Sequence, residues 1–288
     1  MPRRLISFDW ALKRLLRSKA NFDVLEGFLS ELLKEDIVIL EVLDSESNKQ
    51  QRNGKSNRVD LKVKNQQGEI ILIEVQYERE FDYLQRILYA ASKAISEHLV
   101  EAQAYSKVIK VISVNILYFD LGHGEDYLYH GRTHFTGLHR HDALRLSARQ
   151  QSLFSKQYPH ELFPEYYLLK INQFDDIARD TLDEWIYFLK NEEIKDEFSA
   201  KGLKKAREIL DILRLSDSER AAYERHAEEL HYQASMYEST YVSGKLDGIQ
   251  QGQLQEKQAL ARLMKQNGEP IEKIAQYTQL SMKDIVAL

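Results

Sequence analysis

Apolar and polar residues alternate along RVDLKVKNQQGEIILIEVQ, the segment from 58 to 76. A period of two residues is typical of β-strands that bury one face. The alternate positions that are wholly apolar are Val59, Leu61, Val63, Ile71, Ile73 and Val75. Between the two runs, Gln66-Gln67-Gly68 suits a three-residue hairpin loop, because glycine readily adopts the left-handed conformation that such a loop needs. The segment therefore predicts a β-hairpin with one core face.

The length of the loop determines which residues of the hairpin face each other. Counting outward from a three-residue loop places Asp60 opposite Glu74 and Arg58 opposite Gln76. Directly opposite residues share a face, with Cβ atoms about 4.5–5.5 Å apart. A shift of one residue would turn the whole apolar set outward. We therefore expect Asp60, Glu74 and Gln76 to lie together on the second face.

The second face also carries apolar residues, which predicts that it is covered. Ile70 and Leu72 lie on the same side as Glu74. Two facing carboxylates in a covered layer repel each other and need a positive charge. Lys62 can supply it, and so can a divalent cation, since Mg²⁺ takes carboxylate, backbone carbonyl and water oxygens as ligands. The alternative is an ordinary solvent-exposed face that happens to carry Asp60 and Glu74.

Hydrophobic periodicity predicts the other elements of the chain. Helices are predicted over 8–16, from 21 onward, and from 82 to about 102, and strands over 36–43, 108–121, 126–135 and 165–174. The helix from 82 is predicted to bury Leu84, Ile87, Leu88, Ala91, Ile95 and Leu99. From 180 the pattern is helical, and Ser216 with Glu219 forms a capping box. The order predicts an α/β fold, a mixed central sheet flanked by helices with a C-terminal helical extension.

The changes of pattern divide the chain into three predicted parts. These are an α/β core over 1–175, a helical region over 176–240, and a polar coil with a terminal helical hairpin over 241–288. The terminal hairpin resembles a helix-turn-helix in outline, but SMKDIVAL carries one lysine and one aspartate, which is little charge for reading DNA. A tail that packs, recruits a partner or forms a homo-oligomer through these helices fits equally well.

Composition narrows the possible functions. Among 288 residues there is no cysteine, which excludes disulfides, thiolate nucleophiles and cysteine-bound zinc. There is no phosphate-binding G-x-x-x-x-G-K-[ST] loop and no G-x-S-x-G. No apolar run approaches the roughly 18 residues of a membrane span. The N-terminus lacks the apolar run of a secretory signal, so we expect a cytoplasmic protein without a membrane partner.

Charge is distributed unevenly along the chain. The net charge of −5 argues against a protein that coats nucleic acid by bulk charge. However, Lys49, Arg52, Lys55 and Arg58 lie just before the hairpin with no acid among them, and they are the expected DNA-binding residues. Five histidines lie between 123 and 141, but their spacing lacks the helical pattern of a zinc site, which favours a polar loop.

Asp60, followed at a hairpin's distance by Glu74-Val75-Gln76, resembles the D…(D/E)-x-K motif of the PD-(D/E)XK nuclease superfamily in an E-x-Q form. The chain resembles more closely the bacterial Rpn family of recombination-promoting nucleases, also labelled PD-(D/E)XK nuclease family transposases. The resemblance spans nearly the whole chain and is carried by FDWALKRLL, GEIILIEVQ, QRILYAASK, VISVNILYFDL, FPEYYLLKINQF, LDEWIYFLKNEEIKDEFSAKGLKKA, LSDSERAAYERH, GKLDGIQQGQ and PIEKIAQYTQLS.

The resemblance implies a restriction-endonuclease-like core, a divalent metal, Mg²⁺ or Mn²⁺, and cleavage of DNA phosphodiesters. It makes Asp60 and Glu74 metal ligands, with the backbone carbonyl of Val75 beside them, and places Gln76 where lysine is usual. Because glutamine brings no charge, we expect Lys62 to supply it. The alternative is a weak or inactive nuclease fold that serves as a DNA-binding or scaffold protein.

Two further pairs match patterns of such nucleases. Asp9 and Lys13 match the N-terminal D-x-x-x-K pattern, and their alternative role is a salt bridge along one helix. Gln85 and Tyr89 match a Q-x-x-x-Y pattern, and their alternative role is ordinary helix packing. The salt bridge and the helix packing are the favoured interpretations, and an auxiliary role at the site is the alternative for all four residues.

Overall fold

The computed structural model describes residues 5–43, 59–99 and 104–288. The helices are α1 (Phe8–Arg14), α2 (Phe22–Leu33), α3 (Tyr83–His98), α4 (Ala148–Phe154), α5 (Thr181–Asn191), α6 (Leu203–Ile209), α7 (Asp217–Gln266), α8 (Ile271–Thr278) and α9 (Met282–Ala287). The strands are β1 (Ile39–Val42), β2 (Leu61–Asn65), β3 (Ile70–Gln76), β4 (Val111–Leu117), β5 (Leu128–Gly131) and β6 (Glu165–Lys170).

The strands form one mixed sheet in the order β1-β2-β3-β4-β6-β5. The pairs β1–β2, β2–β3 and β5–β6 are antiparallel, whereas β3–β4 and β4–β6 are parallel. Every residue of β4 is buried, as expected of a strand inside a sheet covered on both faces. The predicted fold class, a mixed sheet flanked by helices with a C-terminal helical stretch, is confirmed.

The register of the β2–β3 hairpin is the predicted one. Leu61 pairs with Ile73 and Val63 with Ile71, and the same count places Asp60 opposite Glu74. Gly68 has a φ of +78°, the left-handed conformation expected in the loop. The length of the loop is therefore sufficient to predict that Asp60 lies opposite Glu74.

The buried side chain of Asn65 closes the hairpin loop. Its Oδ1 accepts hydrogen bonds from the backbone N–H groups of Gln67 at 3.1 Å and Glu69 at 2.9 Å. Its Nδ2 donates to Glu69 Oε2 at 3.0 Å. One side chain therefore satisfies two loop amides and joins the ends of the two strands.

Both faces of the hairpin are covered. Leu61, Val63, Ile71 and Ile73 pack into the main core with residues of α1, α2 and α5, while Ile70 and Leu72 pack against alanines of α3. The predicted cover on the second face is therefore confirmed. Val59 corrects the predicted alternation, because it packs with Leu72 on the α3 side. Its strand begins only at Leu61, after a bend at Asp60, so the period of two does not extend to Val59.

The orientation of α3 differs from the prediction. Leu84 and Leu88, expected to be buried, are each more than half exposed, whereas the predicted burial of Ile87 and Ala91 is confirmed. The helix also buries Tyr83, Ala90 and Ala94. Small side chains let a helix lie close to a sheet, which favours the alanine-rich face over the leucines. The rotation of α3 matters for the site, because it decides which side chain points at Glu74.

The chain forms two compact units, Met1–Glu224 and Arg225–Leu288. In the second unit, Ala261, Ile274 and Ile285 form a small core between the end of α7, α8 and α9. The backbone of α7 continues through the three glycines at 244, 248 and 252. The predicted boundaries at 175 and 240 stay predictions. Among the described residues, none of the helices is both long and apolar enough to cross a membrane.

The hairpin loop yields a test of how the register is held. Replacing Asn65 by Ala leaves two loop amides without their acceptor, which should lower the free energy of unfolding by about 1–3 kcal/mol. Urea unfolding followed by circular dichroism measures this change. The matched control is Gln67→Ala, at an exposed position of the same loop, which should change stability by less than about 0.5 kcal/mol. Equal losses in the two variants would contradict the role given to Asn65.

Candidate active site

Two carboxylates and a backbone carbonyl meet where β2 begins and β3 ends. Asp60 Oδ2 accepts a hydrogen bond from the backbone N–H of Val75 at 2.8 Å, so the side chain continues the strand pairing beyond Leu61. In a strand, the N–H and C=O of one residue point to the same side. The Val75 carbonyl is therefore directed towards Asp60. The carbonyl of the next residue, Gln76, points to the opposite side of the strand and accepts a hydrogen bond from Tyr118 N at 2.9 Å.

Glu74 lies beside Asp60 under helix α3 and is only 4 % exposed. The guanidinium of Arg86, one turn into α3, donates to Glu74 Oε1 and also to Glu80 Oε1. Burial raises the pKa of Glu74 to about 7, although the charge of Arg86 opposes this. The ion pair therefore compensates the burial of the carboxylate only in part.

Lys13 pairs with the carboxylate of Asp60. Its Nζ lies 2.6 Å from Asp9 Oδ1 and 3.5 Å from Asp60 Oδ1, so the predicted salt bridge along α1 is confirmed and also reaches the hairpin. Burial lowers the pKa of Lys13, but the charges of Asp60 and Asp9 outweigh it, and the net pKa is raised. Lys13 therefore stays protonated. Burial also raises the pKa of Asp60, against the opposing charge of Lys13 and the Val75 N–H.

Gln76 is held by its amide nitrogen. Nε2 donates to the backbone oxygen of Glu78 at 3.2 Å and to Glu80 Oε1 at 3.1 Å, which uses both of its hydrogens. Within the described chain, the side-chain oxygen of Gln76 makes no hydrogen bond. It is thus placed to accept a hydrogen bond from a water molecule but has no donor left to offer.

Lys62, expected beside the two carboxylates, has a different partner. Its Nζ donates to Glu97 Oε2 on α3 at 3.0 Å, in an ion pair of which only the lysine is buried. The Lys62 side chain extends from the predicted face of the sheet, but there it pairs with Glu97 of α3 and not with Asp60 or Glu74. Lys13 pairs with the Asp60 carboxylate and Arg86 with the Glu74 carboxylate.

Arg86 is the site residue that the sequence reasoning missed. Gln85 and Tyr89, predicted on the same helix, are both exposed. A signal for Arg86 was available in the small residues of α3, because Ala90 lies four residues after Arg86 and faces the sheet. If the alanine-bearing face of α3 is assigned to the sheet in place of the leucine-bearing face, Arg86 is predicted to face the carboxylates.

Two further predicted groups lie elsewhere. The basic residues Lys49, Arg52, Lys55 and Arg58 fall outside the described residues. The histidine-rich segment forms contacts of its own: His130 bonds Glu165 Oε2 at 2.9 Å, and the ring of His134 lies 5.6 Å from that of His160. The favoured interpretation of that segment, a polar region without a metal site, stays a prediction.

The donor set at the site fits Mg²⁺ or Mn²⁺ but is small. In residues 5–43, 59–99 and 104–288, no three His, Asp or Glu side chains are grouped so that they could hold a metal. Mg²⁺, however, is usually held by one or two carboxylates and completes its shell with water and phosphate oxygens. Asp60, Glu74 and the Val75 carbonyl meet that requirement. Burial raises the pKa of both carboxylates in spite of Lys13 and Arg86, and a bound cation would favour their ionised forms.

Comparison with known proteins adds one finding to this geometry. A family model described as PD-(D/E)XK nuclease family transposase matches residues 6–240 of the chain. The match covers the whole sheet and every site residue from Asp9 to Arg86. Neither the curated proteins nor the solved structures contain a match to the chain. The family resemblance expected from the sequence is confirmed.

The burial of Glu74 predicts a pH dependence of stability in the absence of metal. Between its ordinary pKa of 4.5 and about 7, the folded chain keeps a proton on Glu74 that the unfolded chain has lost. The folded state then binds more protons, so the free energy of unfolding falls as pH rises through this window, by at most about 3 kcal/mol. Glu74→Gln, which mimics the protonated acid, should flatten the profile.

Urea unfolding in EDTA at several pH values between 4.5 and 8 measures this effect. The matched control is Glu78→Gln, because the Glu78 side chain is exposed, and this variant should keep the wild-type profile. A Glu74→Gln profile as steep as that of the wild type would show that the buried carboxylate is already ionised through its pairing with Arg86.

Proposed function

On the premise that the chain belongs to the PD-(D/E)XK nuclease family transposases, we propose that it is a metal-dependent DNA endonuclease. The single observation that carries the proposal is the pair Asp60 and Glu74, which the β2–β3 register places opposite each other, with the Val75 N–H bound to the Asp60 carboxylate. A buried carboxylate at Glu74 that faces a half-buried one at Asp60 is costly for the fold unless positive charge lies close to both. Asp60, Glu74 and Val75 would hold a divalent cation.

A bound Mg²⁺ or Mn²⁺ would neutralise charge on the DNA phosphate and make a bound water more acidic. The chain itself would contribute orientation and charge. Gln76 Oε1, free within the described chain, would accept a hydrogen bond from the attacking water and direct its lone pair. Gln76 would not act as the base, because an amide does not take up a proton at neutral pH.

Lys13 would supply the positive charge that glutamine at position 76 lacks. It is protonated, it lies 3.5 Å from Asp60, and α1 holds it in place through Asp9. A fixed charge of this kind stabilises the negative charge that develops on a phosphate in the transition state. The role would then pass from a residue of β3 to a residue of α1. Lys62 is the competing candidate, and its pairing with Glu97 argues against it.

DNA would be bound mainly through its backbone. The basic residues Lys49, Arg52, Lys55 and Arg58 directly precede Asp60 in sequence, and Arg17 reaches the Asp60 backbone oxygen at 2.6 Å. Contacts from lysine and arginine to phosphates position a duplex without reading its sequence. We therefore propose a substrate recognised by charge and shape.

A second candidate function is a DNA-binding or scaffold protein with little or no catalysis. Two observations favour it: Arg86 occupies Glu74 Oε1, and Gln76 replaces the usual lysine. For catalysis, Arg86 must share Glu74 with the metal or move to Glu80, which it already contacts. A chain that binds DNA with the same affinity with and without metal, and never cuts it, would fit this second function.

Cleavage of plasmid DNA in Mg²⁺ or Mn²⁺ tests the proposal. Asp60→Ala should reduce the rate below detection, and Lys13→Met and Gln76→Ala should each lower it by about 10²-fold, the usual cost of one transition-state contact. EDTA should abolish cleavage by the wild type. Glu78→Gln, at an exposed position nearby, should cut at the wild-type rate, and thermal unfolding of each variant checks that it is folded.

Lys62→Met belongs in the same series because it separates the two lysines. We expect it to keep most of the activity while losing stability with the Glu97 pair. If Lys62→Met lost cleavage and Lys13→Met kept full activity, the catalytic positive charge would have to be assigned to Lys62 and not to Lys13. Wild-type cleavage by Asp60→Ala would overturn the site as a whole.

A further inference from the structure

A phenylalanine stands on the surface at the edge of the candidate active site. Phe81 is 94 % exposed, although fully burying such a side chain typically contributes about 1.5–3 kcal/mol. It directly follows Glu80, whose carboxylate binds both Gln76 and Arg86. The ring therefore lies next to the residues that would handle the scissile phosphate, and nothing in the described fold uses it for packing.

The segment that carries Phe81 is anchored on both sides. Before it, Glu80 Oε1 accepts from Gln76 at 3.1 Å and from Arg86 at 2.5 Å. After it, Tyr83 is fully buried and its hydroxyl donates to Asn115 Oδ1 at 3.1 Å. An exposed ring on a segment anchored at both sides is suited to contact with a ligand, because the backbone has little conformational freedom to lose on binding.

The neighbour of Phe81 indicates the kind of ligand. The guanidinium carbon of Arg79 lies 5.7 Å from the centre of the Phe81 ring, and Arg79 is itself exposed. An aromatic ring beside a cation suits a nucleotide, which offers a flat base to the ring and a phosphate to the guanidinium. An apolar protein partner would fit less well, since it would have to desolvate Arg79.

We propose that Phe81 stacks on a nucleobase of the substrate next to the bond that is cut, with Arg79 bound to an adjacent phosphate. This inference rests on the proposed nuclease function and narrows its substrate class. A ring on the protein surface can stack only on a base whose face is open. The preferred substrate is therefore DNA with an unpaired or unstacked base at the cut, as in single strands, and not intact duplex.

The competing interpretation is a protein-docking surface. Phe81, in the turn before α3, is exposed together with Leu84 and Leu88 on the helix itself. A partner protein or a second copy of the chain would use their apolar area and would tolerate leucine in place of phenylalanine. A base would not, because leucine has no flat ring on which to stack. Substitutions at position 81 therefore separate the two interpretations.

The test uses the full chain and a fluorescent single-stranded oligonucleotide, beside a duplex of the same sequence. Phe81→Ala and Phe81→Leu should both weaken single-strand binding by about 10-fold or more, the cost of one stacked base. Both should cut single strands more slowly, with a smaller change for the duplex. Phe81→Trp should retain binding and cleavage. Leu84→Ala, one turn along α3, is the matched control and should behave as the wild type.

Phe81→Trp also gives a readout that is independent of cleavage. The chain has two tryptophans, Trp10 and Trp185, and both are buried, so a tryptophan at 81 would be the exposed one. Stacking should quench its emission when the oligonucleotide is added in EDTA. The inference would be overturned if Phe81→Leu bound the oligonucleotide as the wild type does, or if Leu84→Ala lost as much binding as Phe81→Ala. Either result would favour apolar docking, and sedimentation velocity would then show altered self-association in these variants.

The outcomes distinguish this inference from the function on which it rests. If the wild type binds and cuts DNA while Phe81→Ala is unchanged and the tryptophan emission does not respond, the stacking role is wrong and the nuclease function stands. If the wild type neither binds nor cuts either DNA, the proposed function fails, and the stacking role fails with it.

Discussion

The hydrogen bond from the Val75 N–H to the Asp60 carboxylate is the contact on which the candidate site depends. It requires the β2–β3 register, which places Asp60 opposite Glu74, and it directs the Val75 carbonyl to the same place. The register in turn depends on the Asn65 loop and on the core face of the hairpin. A one-residue slip would separate the oxygens and expose the core residues together. The same strand register therefore buries the core residues of the hairpin and brings the oxygens of the site together.

The two carboxylates lose solvation on folding, and cations from the layers on both sides of the sheet pair with them. Lys13 comes from α1 in one layer, and Arg86 comes from α3 in the other. Neither pairing is complete, since burial still raises the pKa of both acids. Each acid is therefore less readily ionised here than in water, and a divalent ion would favour the ionised forms. The E-x-Q form of the motif is compatible with this arrangement because a lysine from another element already stands beside Asp60.

The sequence predicts the hairpin well and the helix above it poorly, for physical reasons. Strand alternation and a three-residue loop are local properties, so Asp60 and Glu74 could be paired by counting. The rotation of α3 depends on how closely a helix can approach the sheet, which favoured Ala90 and Ala94 over Leu84 and Leu88. The same rotation brought Arg86 to Glu74 and gave Lys62 to Glu97. These pairings are tertiary, and no local period encodes them.

The most direct test of the central claim, that Asp60 and Glu74 hold one divalent cation between them, is a crystal of the chain soaked in Mn²⁺. The expected result is an anomalous difference peak coordinated by both carboxylates and by the Val75 carbonyl, with Arg86 released from Glu74 or sharing it. The peak should vanish in crystals of Asp60→Ala. Full binding of DNA with no peak at this position, and Arg86 still paired with Glu74, would contradict the claim.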